Sequence, residues 1–272
     1  YEAAGTFVKV LGYDASLGEN ARNKSEVRTQ AVKLGLLKGT DAGGNLTHGQ
    51  LVRMLGNTLD SKVCEIVSFS DSGISAKISS ETFMELQFNT FYNTGTVYAN
   101  LYTSIYVDVP VCGADQLTIN GKTYMCDIEG SDEYIGREVK FYYTDDDDMP
   151  RIIYIETDEN SGDITIQADD FAGYADGKIQ YFEKNRKKDI SVGSDTVYII
   201  NGQAYFAIPL SQLKDALNIK RGKITVCKNG GKVMCVNVEN VVDAVVTGTD
   251  LSSGLIYADA FGVSVTLDTQ DK

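Results

Sequence analysis

Two Asn-Gly pairs, at 120–121 and 201–202, lie inside runs of alternating apolar and polar residues. Both residues of such a pair accept positive φ, which the tight two-residue turn of a right-twisted hairpin demands, so each pair predicts a β-hairpin. The surrounding residues repeat as well. Leu117-Thr118-Ile119-Asn120-Gly121-Lys122-Thr123-Tyr124 is echoed by Val197-Tyr198-Ile199-Ile200-Asn201-Gly202-Gln203-Ala204-Tyr205. Each copy is followed by a glycine and a longer hairpin, 136–156 turning at 145–150 and 222–238 turning at 229–231. A short hairpin, a connector and a longer hairpin make a small barrel-like unit, and its recurrence predicts two of them. A further strand start lies at 254–257.

The same period-two pattern fills most of the chain beyond residue 60. Strands are expected over 61–70, 95–100, 138–144, 151–157, 163–167, 178–183, 196–200, 223–228 and 232–238, runs rich in Val, Ile, Tyr, Phe and Thr and bounded by Gly, Asn and Asp. Short helices are expected over 79–88 and 210–217, the second capped by Ser211. Before residue 60 the period is helical. Phe7, Val8, Val10 and Leu11 end at Gly12, a C-cap residue, and Ser25 is placed to open a helix through Val27, Ala31, Val32 and Leu34. Leu51, Val52, Met54, Leu55 and Leu59 line one face of a third helix. Thr47 followed three residues on by Gln50 is a capping-box pattern. The reading is therefore α+β, mainly β: a helical segment over 1–60, repeated small antiparallel barrel-like domains over 61–162 and 163–248, and the start of a further β unit over 249–272.

Charge narrows the partners. The chain has 272 residues, 25 Lys plus Arg against 38 Asp plus Glu, and a net charge of −13. Such a surface repels phosphate backbones, so nucleic acid is not an expected partner. No stretch approaches the roughly 20 apolar residues of a membrane helix, and the opening residues carry no basic segment followed by an apolar core, so no signal peptide is read there. With 43% hydrophobic and 23% charged residues the composition is that of a globular chain.

The candidate chemistry is sparse. A single histidine, His48, cannot serve both a Ser-His-Asp triad and a histidine metal site. It reads either as a pH-dependent ligand contact or as an exposed first-turn residue. Asp145, Asp146, Asp147 and Asp148 read either as a calcium site, since hard cations favour oxygen ligands, or as a solvated hairpin turn; the alternating ligand spacing of an EF-hand is missing. Asp169-Asp170 and Glu239 with Asp243 are carboxylate pairs of the kind a glycan-processing enzyme needs about 5–10 Å apart across a cleft, but 38 acids make chance pairs certain. No phosphate-binding Gly-x-x-x-x-Gly-Lys-Ser/Thr occurs. Five cysteines, with no Cys-x-x-Cys, argue against a zinc ribbon. Cys227 and Cys235 flank the 228–232 turn and read either as a cross-strand disulfide or as two small apolar strand residues. The 16 tyrosines gather at Tyr142-Tyr143 and at Tyr98, Tyr102 and Tyr106, fitting subunit interfaces or half-buried strands equally well.

The helical segment resembles an S-layer homology (SLH) motif, through the stretch from Ala3 to Tyr13, through Ala31-Val32-Lys33-Leu34-Gly35-Leu36-Leu37-Lys38-Gly39, through Leu46-Thr47-His48-Gly49-Gln50 and through Met54-Leu55-Gly56-Asn57-Thr58-Leu59-Asp60. The remainder resembles the β-rich extension of surface proteins of clostridia-like Gram-positive bacteria, through Gly95-Thr96-Val97-Tyr98-Ala99-Asn100, Ile135-Gly136-Arg137-Glu138-Val139-Lys140-Phe141-Tyr142-Tyr143, Ile199-Ile200-Asn201-Gly202 and Asp243-Ala244-Val245-Val246. The resemblance implies an exported protein of the cell wall or S-layer. It also implies that Thr47, His48 and Gln50 occupy the glycan-binding signature, where the family carries Thr-Arg-Ala-Glu. His48 stands in place of the arginine and lacks its bidentate fork of donors. The expected function is that of a non-enzymatic structural protein of the envelope, associating with other copies of itself through β modules. The alternative is a carbohydrate-binding module tethering the chain to cell-wall polysaccharide through Thr47–Gln50.

Overall fold

A computed structural model of the chain describes residues 2–17, 20, 23–40, 45–70, 73–145, 148–193, 195–260 and 263–269. The fold is α+β and mainly β, with several small antiparallel sheets and a few helices. The chain divides into two compact units, one formed by Tyr1–Asn93 with Tyr142–Ile153 and the other by Thr94–Phe141 with Tyr154–Lys272.

The first unit opens with helices α1 (Glu2–Val10), α2 (Tyr13–Leu17), α3 (Lys24–Lys33) and α4 (His48–Leu59). They bury Val8, Leu11, Val27, Ala31, Leu36 and Met54 together. The helix starts follow side-chain chemistry. Thr47 Oγ1 accepts from the Gln50 amide while Gln50 Oε1 accepts from the Thr47 amide, the reciprocal capping box expected from the sequence. At α3 the cap is Asn23, whose side chain accepts from the Ser25 amide, so Ser25 is inside the helix and not its cap. The helices lead into a hairpin of β1 (Lys62–Ser70) and β2 (Gly73–Thr82). Residues 79–82, expected as helix, belong to β2. Helix α5 (Phe83–Phe88) begins only after Thr82, which forms a second capping box with Glu85.

In the second unit the first Asn-Gly copy is a closed five-stranded barrel. Its strands are β3 (Thr90–Ala99), β4 (Gln116–Ile119), β5 (Lys122–Met125), β6 (Glu138–Thr144) and β7 (Arg151–Thr157), in the order β3-β4-β5-β7-β6. Asn120 and Gly121 both have positive φ, 49° and 83°, as the sequence required. Alternation places Val97, Leu117, Ile119, Val139 and Phe141 inside the barrel, each 2% exposed or less.

The second copy keeps the strands but not the closure. A short ribbon of β9 (Phe171–Ala175), β10 (Lys178–Glu183) and β11 (Arg186–Ser191) follows β8 (Ile164–Gln167). Then come β12 (Val197–Ile200), β13 (Gln203–Tyr205), helix α6 (Leu210–Leu217), β14 (Gly222–Asn229) and β15 (Lys232–Asn240). They form an open sheet in the order β13-β12-β15-β14-β8, in which β12 runs parallel to β15. The Asn201-Gly202 turn repeats the geometry of the first copy, with φ of 47° and 85°. Helix α6 spans the expected 210–217, but Pro209 is its N-cap, with no side-chain cap bond, so Ser211 has no capping role. Leu213 and Leu217 of α6 pack with Ile166, Ile179, Ile224, Val226, Val236 and Val238. A last antiparallel sheet has β17 (Leu255–Ala260) between β16 (Val245–Asp250) and β18 (Val263–Asp268). No helix among the described residues is long and apolar enough to cross a membrane.

Candidate functional site

The residues singled out by sequence do not converge. Thr47 and His48 are exposed at the start of α4, and Gln50 is half-buried one turn on. The capping box engages the Thr47 hydroxyl and the Gln50 amide oxygen, so the polar atoms of this signature are already committed to the helix end. Thr47→Ala should cost about 1 kcal/mol in chemical denaturation by freeing that end. Asp145 and Asp148 are exposed in the turn between β6 and β7, whereas Asp146 and Asp147 lie outside the described residues. Among the described residues no three His, Cys, Asp or Glu side chains gather to hold a metal ion.

A groove of about 510 Å³ lies elsewhere, between the 102–111 loop and the second Asn-Gly hairpin. Its walls carry Tyr102, Tyr106 and Phe206 beside Ser104, Asn201 and Gln203, and none of the described residues that line it is charged. A buried side chain anchors the start of the loop. Asn100, 3% exposed, accepts from the amides of Tyr102 and Thr103 and donates from Nδ2 to the Asp132 carbonyl. The ring of Tyr106 meets that of Tyr98 edge-on with centroids 4.5 Å apart. Burial, then Tyr98 and Asp108, raise the Tyr106 phenol above its ordinary value. Beneath the groove Thr103 is buried and its hydroxyl has no hydrogen-bond partner. Aromatic faces next to neutral amides and hydroxyls suit an uncharged ligand that has both apolar faces and hydroxyls. The sequence did show Tyr98, Tyr102 and Tyr106 as a cluster. Their partners from Asn201 to Phe206 are about a hundred positions further on, and only tertiary structure unites the two walls.

A second constellation joins the two Asn-Gly copies. The tip of the β14–β15 hairpin rests on the barrel rim through Asn229. Its Oδ1 accepts from the Glu138 amide at 3.0 Å and the Ser161 hydroxyl at 3.4 Å, and its Nδ2 donates to Thr96 Oγ1 at 2.9 Å. Backbone bonds from Gly162 N to Lys228 O and from Gly230 N to Asn160 O flank it. Arg137 and Asp163 pair at 2.5 Å alongside, both largely buried. Every polar atom of the Asn229 side chain is thus spent on residues 68 or more positions away.

No family model, curated protein or solved structure matches this chain.

Proposed function

We propose that this chain is a non-enzymatic structural protein of the bacterial cell envelope that associates through its β modules. The observation that carries the reading is the last sheet, β16 to β18. Among its described residues only Ala258 is buried, while Val245, Val246, Tyr257 and Leu267 are 72%, 60%, 39% and 50% exposed. A three-stranded sheet with apolar residues facing water, in which β16 and β18 each lack a second partner strand among the described residues, is a surface that another sheet can cover or extend. The Asn229 joint supports the same reading, because it makes two successive β modules one stiff element. Sedimentation velocity over a wide concentration range, with and without calcium, should show association. Val246→Asp should abolish it without unfolding the chain. A strictly monomeric protein under all these conditions removes the reading. Envelope residence is tested separately, by protease accessibility and immunolabelling on intact cells.

The second reading, a carbohydrate-binding module for cell-wall polysaccharide, is favoured by the neutral aromatic groove. Pull-down with purified cell walls should then be weakened at least tenfold by Tyr106→Ala or Phe206→Ala. If His48→Ala and Gln50→Ala weaken it instead, the contact is at the α4 start. Absence of wall binding in the wild-type chain discards this reading.

A further inference from the structure

Cys227 of β14 and Cys235 of β15 are directly opposed partners in an antiparallel pair. Facing residues in such a pair have Cα atoms about 4.5–5.5 Å apart, inside the roughly 4.4–6.8 Å span that a disulfide bridges. Both side chains are buried, 2% and 0% exposed, and both are free thiols. Both face the same point of the barrel rim, since a Cβ built at Gly136 would lie 2.4 Å from Cys235 Sγ and 3.6 Å from Cys227 Cβ, and Cys227 together with burial holds the Cys235 thiol well above its ordinary value. Among the described residues the other three cysteines face no second cysteine. Cys64 belongs to the first unit, Cys112 hydrogen-bonds Thr118 Oγ1, and Cys126 is buried beside Ser131.

We propose that Cys227 and Cys235 form an intramolecular disulfide when the chain meets a disulfide oxidant such as oxidised glutathione, and that the hairpin joint controls access to them. One cysteine thiolate attacks the oxidant's S–S bond, forming a mixed disulfide and releasing one reduced thiol. The second thiolate attacks the cysteine sulfur of that mixed disulfide and releases the other reduced thiol. The two cysteines lose two electrons and two protons, and the oxidant gains both. The proposal is independent of where the chain resides in the cell.

The gate follows from what covers the pair. A Cβ added at Gly136 would lie 2.4 Å from Cys235 Sγ, so the barrel rim presses on the sulfur at a point where only glycine fits. The Cys235 thiol faces the Ile135 carbonyl at 4.0 Å. A buried thiol kept protonated is a poor nucleophile. The sulfurs therefore meet an oxidant only when the tip of β14–β15 lifts off the rim, and Asn229 is the side chain that holds it down.

The test uses the full chain, incubated with oxidised glutathione, alkylated under denaturing conditions and digested with trypsin. Lys228 and Lys232 lie between the two cysteines, so cleavage separates them, and a bridge appears as two joined peptides that part on reduction. Two of the five thiols should escape alkylation. Asn229→Ala should form the same bridge several-fold faster. Cys227→Ser, or Cys227→Ala should the serine variant fold poorly, should give no joined peptides, with Cys235 recovered as the free thiol or as an unresolved glutathione adduct. The proposal is overturned if the wild-type chain keeps five reactive thiols or ends only in glutathione adducts. A bridge involving Cys112 or Cys126 overturns it equally, and an unchanged rate in Asn229→Ala overturns the gate.

Discussion

Gly222→Ala is expected to disrupt the open five-stranded sheet of the second Asn-Gly copy. Gly222 opens β14 at φ +111°, and a Cβ there would stand 1.9 Å from the Glu239 carbonyl oxygen and 3.0 Å from its carbon. The obstacle is the backbone of the neighbouring strand β15, which has no rotamer to change. Restoring ordinary contact separates β14 from β15 by more than about 1 Å. The adjacent bond from Val241 N to Arg221 O, 3.0 Å long, lies at the point of separation. Ile224, Val226, Val236 and Val238, none of them exposed, depend on that pairing for their packing. Forbidden backbone geometry at about 1–3 kcal/mol and the lost ladder bonds at about 1 kcal/mol each give a cost of roughly 3–5 kcal/mol. That is a large share of the ~5–15 kcal/mol by which a domain is stable. Urea titration followed by tyrosine fluorescence measures it. Gly231→Ala is the control: its φ is +85°, but a Cβ there meets nothing within 4 Å, so only a backbone cost of about 1 kcal/mol remains. Equal losses in the two variants would show that the close approach to Glu239 is not what constrains residue 222.

The contrast between these glycines also marks where sequence stops informing structure. Asn120-Gly121 and Asn201-Gly202 announce their turns because the chemistry of a two-residue turn is local. The Thr47–Gln50 capping box is legible for the same reason, and the Thr82–Glu85 box that ends β2 and starts α5 has the same three-residue spacing. How the two copies close is not local. In the first, β5 neighbours β7 and the sheet shuts into a barrel; in the second, β12 pairs in parallel with β15 and leaves the sheet open. Nearly the same hairpin signal precedes both outcomes, and the difference lies in what else covers the core: the second copy has Leu213 and Leu217 of α6 packed against its sheet. Asn229 looks in sequence like any residue of an Asn-Gly-Gly turn. Its role at the joint depends on Thr96 and Glu138, 133 and 91 positions away. The neutral groove is a similar case, half visible as a tyrosine cluster and half hidden in a distant hairpin. Hydrophobic alternation therefore gives the strands and turns, and long-range side-chain packing decides which strands meet.

Phe141→Ala tests whether the barrel governs the joint that rests on it. Phe141 is 1% exposed in β6, and its ring meets that of Tyr124 edge-on at 5.1 Å and 76°. Truncation removes the largest fully buried side chain among the described residues and leaves a cavity between Tyr124 and the apolar barrel interior, at a cost of about 3–5 kcal/mol. Phe141→Leu fills much of that volume and should cost distinctly less. The consequence for the joint comes through β6 itself, since Glu138, whose amide bonds Asn229 Oδ1, begins the strand that Phe141 anchors. A loosened β6 weakens the hold on the β14–β15 tip, so Cys227 and Cys235 should be alkylated faster under native conditions in Phe141→Ala than in the wild-type chain. Cys64, in the helical unit, should keep its wild-type rate and serve as the internal reference. If stability falls as expected but all thiol rates stay unchanged, the barrel and the second hairpin open independently, and the two β modules are not one stiff element. If the rates of Cys227 and Cys235 rise together while Cys64 stays constant, the rim and the hairpin tip open as a single cooperative step, and Phe141 holds the Asn229 joint closed through β6.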